Sequence, residues 1–493
     1  MPKSRQRRFL SVAAVIGVAL VLRVIALSTR GIWYDDAFSI LLARQDPSRI
    51  VAGTAADTMP PLYYFALHLW MQLGTGVATL RLLNVLVSLA ILALTFRLAH
   101  SLFDLRTATA AALLTAVSPF QIHHAQELRM YGLLCLNLLL YLYFFSRIYL
   151  GPERRVWPFW IGLIAAGALA MVSHNLAAFT LLSANLLLLL QRRWRLLGRL
   201  VLAQFAILLL ASPWLVMVPG QVAKIQRAFW TPRPGLLELV QALVAFHSDL
   251  PVPGWMLSLV VATSVLFLVL VSYELVRRWP GDARVQLLAA FACLPPLLLF
   301  GFSYAMRPLF VPRGFILSSV AYYVLAAVVI VGRGPRLLRG LLLVSFVLVG
   351  LLALPGRYTF DEFPRSPFRP AVEFLRPQIR PGDVVLHDNK LSYFPMRYYA
   401  PDVPQAFLPD EPGSHNDTLA PATQDAMEIW PVDGLREATD DAVRVWFVFF
   451  TRAVEEWQER GDSHPTLQAL EQQWQAVDHV GLNDLEVILF ERR

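Results

Sequence analysis

The chain has 493 residues, of which 56% are apolar, 12% aromatic and only 16% charged, whereas a soluble chain of this length carries about 25% charged residues. With a mean hydropathy of +0.52, this excludes a disordered chain, a nucleic-acid-binding domain and an ordinary cytosolic enzyme. The net charge of +8 conceals two opposite parts, +19 over residues 1–355 and −11 over residues 356–493, so the basic balance is no argument for nucleic acid.

A helix needs about 20 apolar residues to cross the hydrocarbon core. Candidate runs lie at 9–27, 81–101, 107–122, 130–150, 157–173, 175–190, 200–218, 255–276, 285–304, 314–331 and 338–354. The pattern predicts a polytopic α-helical membrane protein of about 11 transmembrane helices over residues 1–355, ending near Leu354-Pro355-Gly356, with a C-terminal soluble α/β domain over 356–493. The first run follows Lys3, Arg5, Arg7 and Arg8 like a secretory signal. Arg23 interrupts its end and no small-residue cleavage site follows, so it reads as a retained helix.

Arginine sets the orientation. With the N-terminus cytoplasmic, the inside segments hold Lys3/Arg5/Arg7/Arg8, Arg97/Arg106, Arg147/Arg154/Arg155, Arg192/Arg193/Arg195/Arg199, Arg277/Arg278/Arg284 and Arg333/Arg336/Arg339. An odd number of crossings of the cell (inner) membrane then leaves the C-terminal domain extracytoplasmic. Asp35, Asp36, Asp46, Asp57, Glu127, Glu238 and Asp249 fall on that same outer side. Carboxylates beside lipid are costly and mark functional sites, so any chemistry is expected to face outward.

The first outer loop, 28–80, carries Trp33-Tyr34-Asp35-Asp36-Ala37-Phe38-Ser39, which reads as an aromatic anchor, an acidic pair and an amphipathic helix. One reading makes the acid pair an N-cap. The other projects one carboxylate into a cavity, where partial desolvation raises its pKa and suits it to deprotonate an alcohol. Asp57-Thr58-Met59-Pro60-Pro61 then opens a second amphipathic stretch through Tyr63, Tyr64, His68 and Trp70, placed along the membrane surface.

The second outer loop, Ser118-Pro119-Phe120-Gln121-Ile122-His123-His124-Ala125-Gln126-Glu127-Leu128-Arg129-Met130-Tyr131, is dense in polar chemistry. Glu127 and Arg129 either neutralise each other or supply a second carboxylate and a contact for an anion. Adjacent His123 and His124 with no spaced partner form no standard zinc motif, so no metal ligand is assigned. The cofactor is left unknown, with a divalent cation held by carboxylates as one option. His174 faces the same side between the fifth and sixth spans. Cys135 and Cys293 lie inside apolar runs and read as packing residues. The late turn Tyr304–Gly314 carries Arg307 and Arg313 at headgroup depth, either snorkelling to bulk lipid or forking onto a phosphate.

In the C-terminal domain, Asp383–His387, Val443–Phe449 and Leu485–Phe490 read as buried strands, and Pro370–Gln378, Ala453–Arg460 and Thr466–Trp474 as helices. No Gly-rich phosphate loop occurs there, which disfavours a nucleotide-linked donor.

Taken together, W-Y-D-D-A-F-S, P-P-L-Y-Y, L-R-L-L-N, S-P-F-Q-I-H-H-A-Q-E-L-R-M-Y and a late R-G-F-I-L turn resemble bacterial GT-C membrane glycosyltransferases. The nearest branch is that of the dolichyl-phosphate-mannose–protein mannosyltransferases and the lipid A aminoarabinose transferases. The resemblance covers roughly residues 9–330. It implies a mannosyltransferase-like enzyme of the cell envelope that moves a hexose or pentose from a polyprenyl-phosphate-linked donor to a hydroxyl of a lipid, glycan or protein acceptor; one base opposite the leaving group suggests a single displacement with inversion. By position it implies Asp35 as the catalytic carboxylate, with Asp36 and Glu127 beside it, and Arg129, Arg307 and Arg313 as donor-phosphate contacts. Asp57, Tyr63, His68, His124, Gln126, Tyr131 and His174 would line the cavity. Asp36 stands where relatives often have Glu. Met59 stands where they often have His or Lys before Pro60-Pro61, so no phosphate contact carries over there. A lipid or solute transporter, or a non-catalytic scaffold presenting the outer domain, is the rival expectation.

Overall fold

The apolar runs fold as helices, some of them with proline inside. The protein is described from a computed structural model covering residues 3–151, 156–227, 231, 233–306, 308–360, 364–411, 414 and 417–493. Each predicted span overlaps a helix: Lys3–Val24, Val77–Leu102, Leu105–Val117, Tyr131–Leu150, Trp157–Met171, Ala177–Leu190, Trp194–Leu215, Gly254–Arg278, Ala283–Ala305, Ile316–Val331 and Arg336–Thr359, although the run 107–122 breaks at Ser118, where a separate helix begins. Among the described residues, 7 helices are long and apolar enough to cross a membrane, and others are shorter apolar helices. One of the shorter set, Leu236–Ser248, escaped the sequence count because Glu238 and His247 interrupt its 13 residues.

The chain divides into two compact units, each built from separated segments. The first comprises residues 1–27, 58–226 and 231–358, and the second 28–57, 227–230 and 359–493. In the first unit the helix Ile316–Val331 is buried along nearly its whole length. In lipid, helices associate through close packing and hydrogen bonds rather than through a hydrophobic drive. This helix is accordingly tied at both kinds of contact. Ser318 Oγ donates to the Phe291 carbonyl at 2.9 Å, Ser319 Oγ accepts from Gln121 Nε2 at 2.9 Å, and Tyr323 Oη donates to the Phe246 carbonyl at 2.6 Å. The Arg23 that ends the first helix is fully buried. Its guanidinium bonds Ser88 Oγ at 2.8 Å and the carbonyls of Ala116 and Thr115 at 2.9 and 3.2 Å, satisfying the orphan C-terminal acceptors of Leu105–Val117.

The second unit holds a mixed five-stranded sheet: β1 (Asp383–His387), β2 (Gln405–Phe407), β3 (Arg444–Phe450), β4 (Trp474–Leu482) and β5 (Leu485–Arg492), in the order β2-β1-β3-β5-β4. β1 pairs in parallel with β2 and β3, while β5 runs antiparallel to β3 and β4. The three strands and three helices expected from sequence lie where the pattern placed them. Residues 28–57 contribute the helices Tyr34–Ala43 and Pro47–Ala56 to this unit. Gly53 lets the second of these approach the helix Pro421–Met427: a Cβ there would lie 3.2 Å from Ala426 Cβ and 2.8 Å from Leu42 Cδ1. Thr423 Oγ1 donates to the Gly53 carbonyl at 3.1 Å, and Gln45 Nε2 to that of Met427 at 3.2 Å.

Candidate functional site

The second outer loop forms its own short helix, Pro119–Gln126. Ser118 caps it, its Oγ accepting from the Gln121 amide at 3.3 Å, and Pro119 supplies a preset first turn. The helix stops at Glu127, whose extended backbone (φ −90°, ψ 136°) releases the chain. The Glu127 carboxylate meets both histidines, which stand four and three residues before it, the spacing of neighbours on a helix surface. Glu127 Oε2 lies 2.9 Å from His124 Nδ1 and 3.7 Å from His123 Nε2, and the two rings stack with centroids 4.7 Å apart. His123, His124 and Glu127 thus offer three ligand atoms within 4.8 Å of one another, a group able to hold a metal ion. The expectation of no metal ligand rested on the missing spaced partner; Glu127 stands at three and four residues from the two histidines.

Two further residues complete this corner, and sequence reasoning did not assign either to it. Asp249 ends the helix Leu236–Ser248 in the left-handed region (φ 61°), and its Oδ2 lies 2.7 Å from His123 Nδ1 and 3.5 Å from a guanidinium nitrogen of Arg357. Asn84, buried in Val77–Leu102, donates from Nδ2 to the carbonyls of Glu127 and Arg129, the latter at 3.2 Å, and to Tyr63 Oη at 3.2 Å. The L-R-L-L-N motif was the signal for Asn84. For Asp249 the available signal was a carboxylate beside His247-Ser248 at the end of an apolar run.

Electrostatics sort these groups. Burial opposes ionisation of Glu127, yet the His124 hydrogen bond and the fields of His123 and Arg313 hold its pKa below the ordinary carboxylate range. Burial likewise works against Asp249, but His123 and Arg357 keep it ionised. Burial and Arg357 lower the His123 pKa despite Asp249. His174 is pushed down to about 3 by burial and by the charges of Arg129 and Arg313. It is a neutral imidazole at physiological pH, with Nδ1 accepting from the Leu176 amide at 3.1 Å. Tyr131 sits among these groups, its ring centroid 5.5 Å from that of His124, 5.7 Å from that of His174 and 5.2 Å from the Arg313 guanidinium carbon. Glu127, Arg129, Arg313, His124, His174, Tyr131 and Tyr63 are therefore drawn together in the first unit.

The remaining predicted residues fall elsewhere. The Gln126 amide is committed to structure, donating to the Arg23 and Ile25 carbonyls at 3.0 and 2.8 Å. His68 is half-buried on the helix Leu62–Trp70. Arg307 lies outside the described residues. Asp35, Asp36 and Asp57 belong to the second unit. The N-cap reading of the acid pair does not hold: Trp33 occupies the cap, and Asp35 and Asp36 lie in the first turn of Tyr34–Ala43, where negative charge favours the helix dipole. That helix is anchored within its unit by Tyr34 and Phe38 against Phe394, at ring separations of 5.2 and 6.3 Å. Asp57 follows the C-terminus of Pro47–Ala56, its amide donating to the Gly53 carbonyl at 3.0 Å.

Comparison with known proteins bears on this arrangement. Residues 58–217, which contain the second outer loop, match the family described as dolichyl-phosphate-mannose-protein mannosyltransferase. No curated protein matches the sequence. The crystal structure of ArnT from Cupriavidus metallidurans bound to undecaprenyl phosphate is similar over 97% of this chain and 97% of that one, at 15% identity and a TM-score of 0.68. The Archaeoglobus fulgidus oligosaccharyltransferase tethered with an acceptor peptide is similar over 99% of this chain and 74% of its own, at 10% identity and a TM-score of 0.51. The arabinofuranosyltransferase AftD from Mycobacteria is similar over 99% and 40%, at 16% identity and a TM-score of 0.53. At such identities the likeness is one of fold.

Proposed function

We propose, for a multi-pass membrane chain with the GT-C fold of ArnT, that it transfers a sugar from a polyprenyl-phosphate-linked donor to an acceptor hydroxyl on the extracytoplasmic face of the cell membrane. The observation that carries this reading is the convergence of Arg129 and Arg313 on neutral His174, beside an ionised Glu127. Arginine forks suit phosphate oxygens, and a neutral imidazole adds no competing charge. Arg129 and Arg313 would hold the lipid phosphate as it leaves. Asp35, named by its motif, would take the proton of the acceptor hydroxyl as that oxygen attacks the anomeric carbon, giving inversion. Asp36 would supply the neighbouring negative charge. The ligand in the ArnT structure, undecaprenyl phosphate, is of the class proposed for the leaving group.

The test is release of lipid phosphate from a panel of polyprenyl-phosphate sugars by the purified protein. Asp35→Asn is expected to lower turnover by at least about 100-fold while leaving lipid binding intact, the scale of a lost general base. Arg313→Gln is expected to weaken binding of the lipid phosphate itself. Full turnover in Asp35→Asn would remove that carboxylate from the chemistry. Movement of lipid across vesicles without bond cleavage would favour a transporter.

A further inference from the structure

We infer that His123, His124 and Glu127 form a zinc site, with Asp249 orienting His123 from behind. Zinc takes nitrogen and carboxylate ligands in a tetrahedron, and bonds of about 2.0–2.1 Å set neighbouring ligand atoms roughly 3.3 Å apart. The observed separations from Glu127 Oε2, 2.9 Å to His124 Nδ1 and 3.7 Å to His123 Nε2, bracket that spacing. Two imidazoles with one carboxylate suit a borderline ion such as zinc better than the all-oxygen shells of magnesium or calcium.

A second observation comes from His124. Its side chain is 4% exposed, so Nδ1, the nitrogen that faces Glu127, lies away from bulk water. The carboxylate–imidazole pair behind the site is the third element. Asp249 Oδ2 at 2.7 Å from His123 Nδ1 fixes that ring so that its other nitrogen, Nε2, faces Glu127. Ligating histidines are characteristically held by an outer carboxylate of this kind. Arg357, 3.5 Å from Asp249, offsets the charge of that outer carboxylate and leaves Glu127 as the anionic ligand. Three protein ligands leave the fourth position open, as in zinc sites that take a solvent or substrate oxygen.

The measurement is metal content, so the site stands or falls independently of the transfer reaction. Full-length protein in detergent, with any affinity tag removed, is stripped with a chelator, given zinc chloride and passed through gel filtration. It is expected to retain about one zinc per chain. Cobalt chloride in place of zinc is expected to give the visible absorption of a tetrahedral centre. His124→Ala and Glu127→Gln should each lose the zinc, and His124→Gln replaces the alanine variant if that one fails to fold. Asp249→Asn should weaken zinc binding by about 10- to 100-fold, the effect of removing an outer-sphere partner. His479→Ala, on the exposed β4, should retain zinc in full. Wild-type protein without retained zinc or a cobalt spectrum would overturn the site, as would equal zinc in wild type, His124→Ala and Glu127→Gln.

Discussion

At Glu127 the three- and four-residue spacing from His124 and His123 converts a run of adjacent polar residues into a cluster. A motif can announce such a residue but not its neighbours. Glu127, Arg129 and Tyr131 were legible because they are contiguous, whereas Asp249 and Asn84 arrive from helices distant in sequence. Asn84 also sets a sharp test. Its Nδ2 faces the carbonyls of Glu127 and Arg129, so the position needs a donor. Asn84→Ala is expected to cost about 1–3 kcal/mol by leaving buried acceptors unmet. Asn84→Asp should be worse, because a carboxylate would face two carbonyl oxygens. Thermal unfolding in detergent ranks the two, and the reverse order would show that the amide is not what holds the loop.

Among elements, the spans were readable because lipid imposes a length and a composition that any helix must meet. The same rule passed over Leu236–Ser248, whose Glu238 and His247 break the apolar run. β2 has three residues, too few for a pattern, and β4 is largely exposed, so neither announces itself as a buried strand. Packing between elements is less legible still. Nothing local in Pro47–Ala56 says that Gly53 must meet Ala426, yet a Cβ would lie 3.2 Å from it. Gly53→Val is expected to overpack this contact by about 1–3 kcal/mol. Hydrogen exchange should then quicken in 47–56 and 421–427 together, and unchanged protection in both would deny the contact any energetic weight.

For the molecule as a whole, the charge split near residue 355 marked the acidic domain but not the inclusion of residues 28–57 in its unit. Hydrophobic periodicity reports which face of a segment is buried, not against what. The stability of that unit should depend on acid. Burial pushes the His387 imidazole, held by Ser392 and Gln405, down to about 3. Burial opposes ionisation of Asp383, but hydrogen bonds from Arg444, the Arg380 amide and Trp446 outweigh it and lower its pKa. Both groups bind protons more readily when unfolded, so both remove stability as pH falls. His387 acts from about pH 6.5 downward and Asp383 below about pH 3.9. Exchange protection of β1 and β3, corrected for intrinsic rates, should therefore decline as pH drops below neutrality. His387→Gln should flatten the upper part of that decline, and a flat profile in the wild type between pH 7 and pH 4 would refute the linkage.

The interleaved composition of that unit also orders events during synthesis. Residues 28–57 leave the ribosome among the earliest of the chain, while their partners in 359–493 emerge last. At ordinary translation rates the interval is on the order of tens of seconds. Through that interval Phe38, Leu42 and Gly53 await their native neighbours, so this early hairpin of helices is the part of the nascent chain most in need of a chaperone.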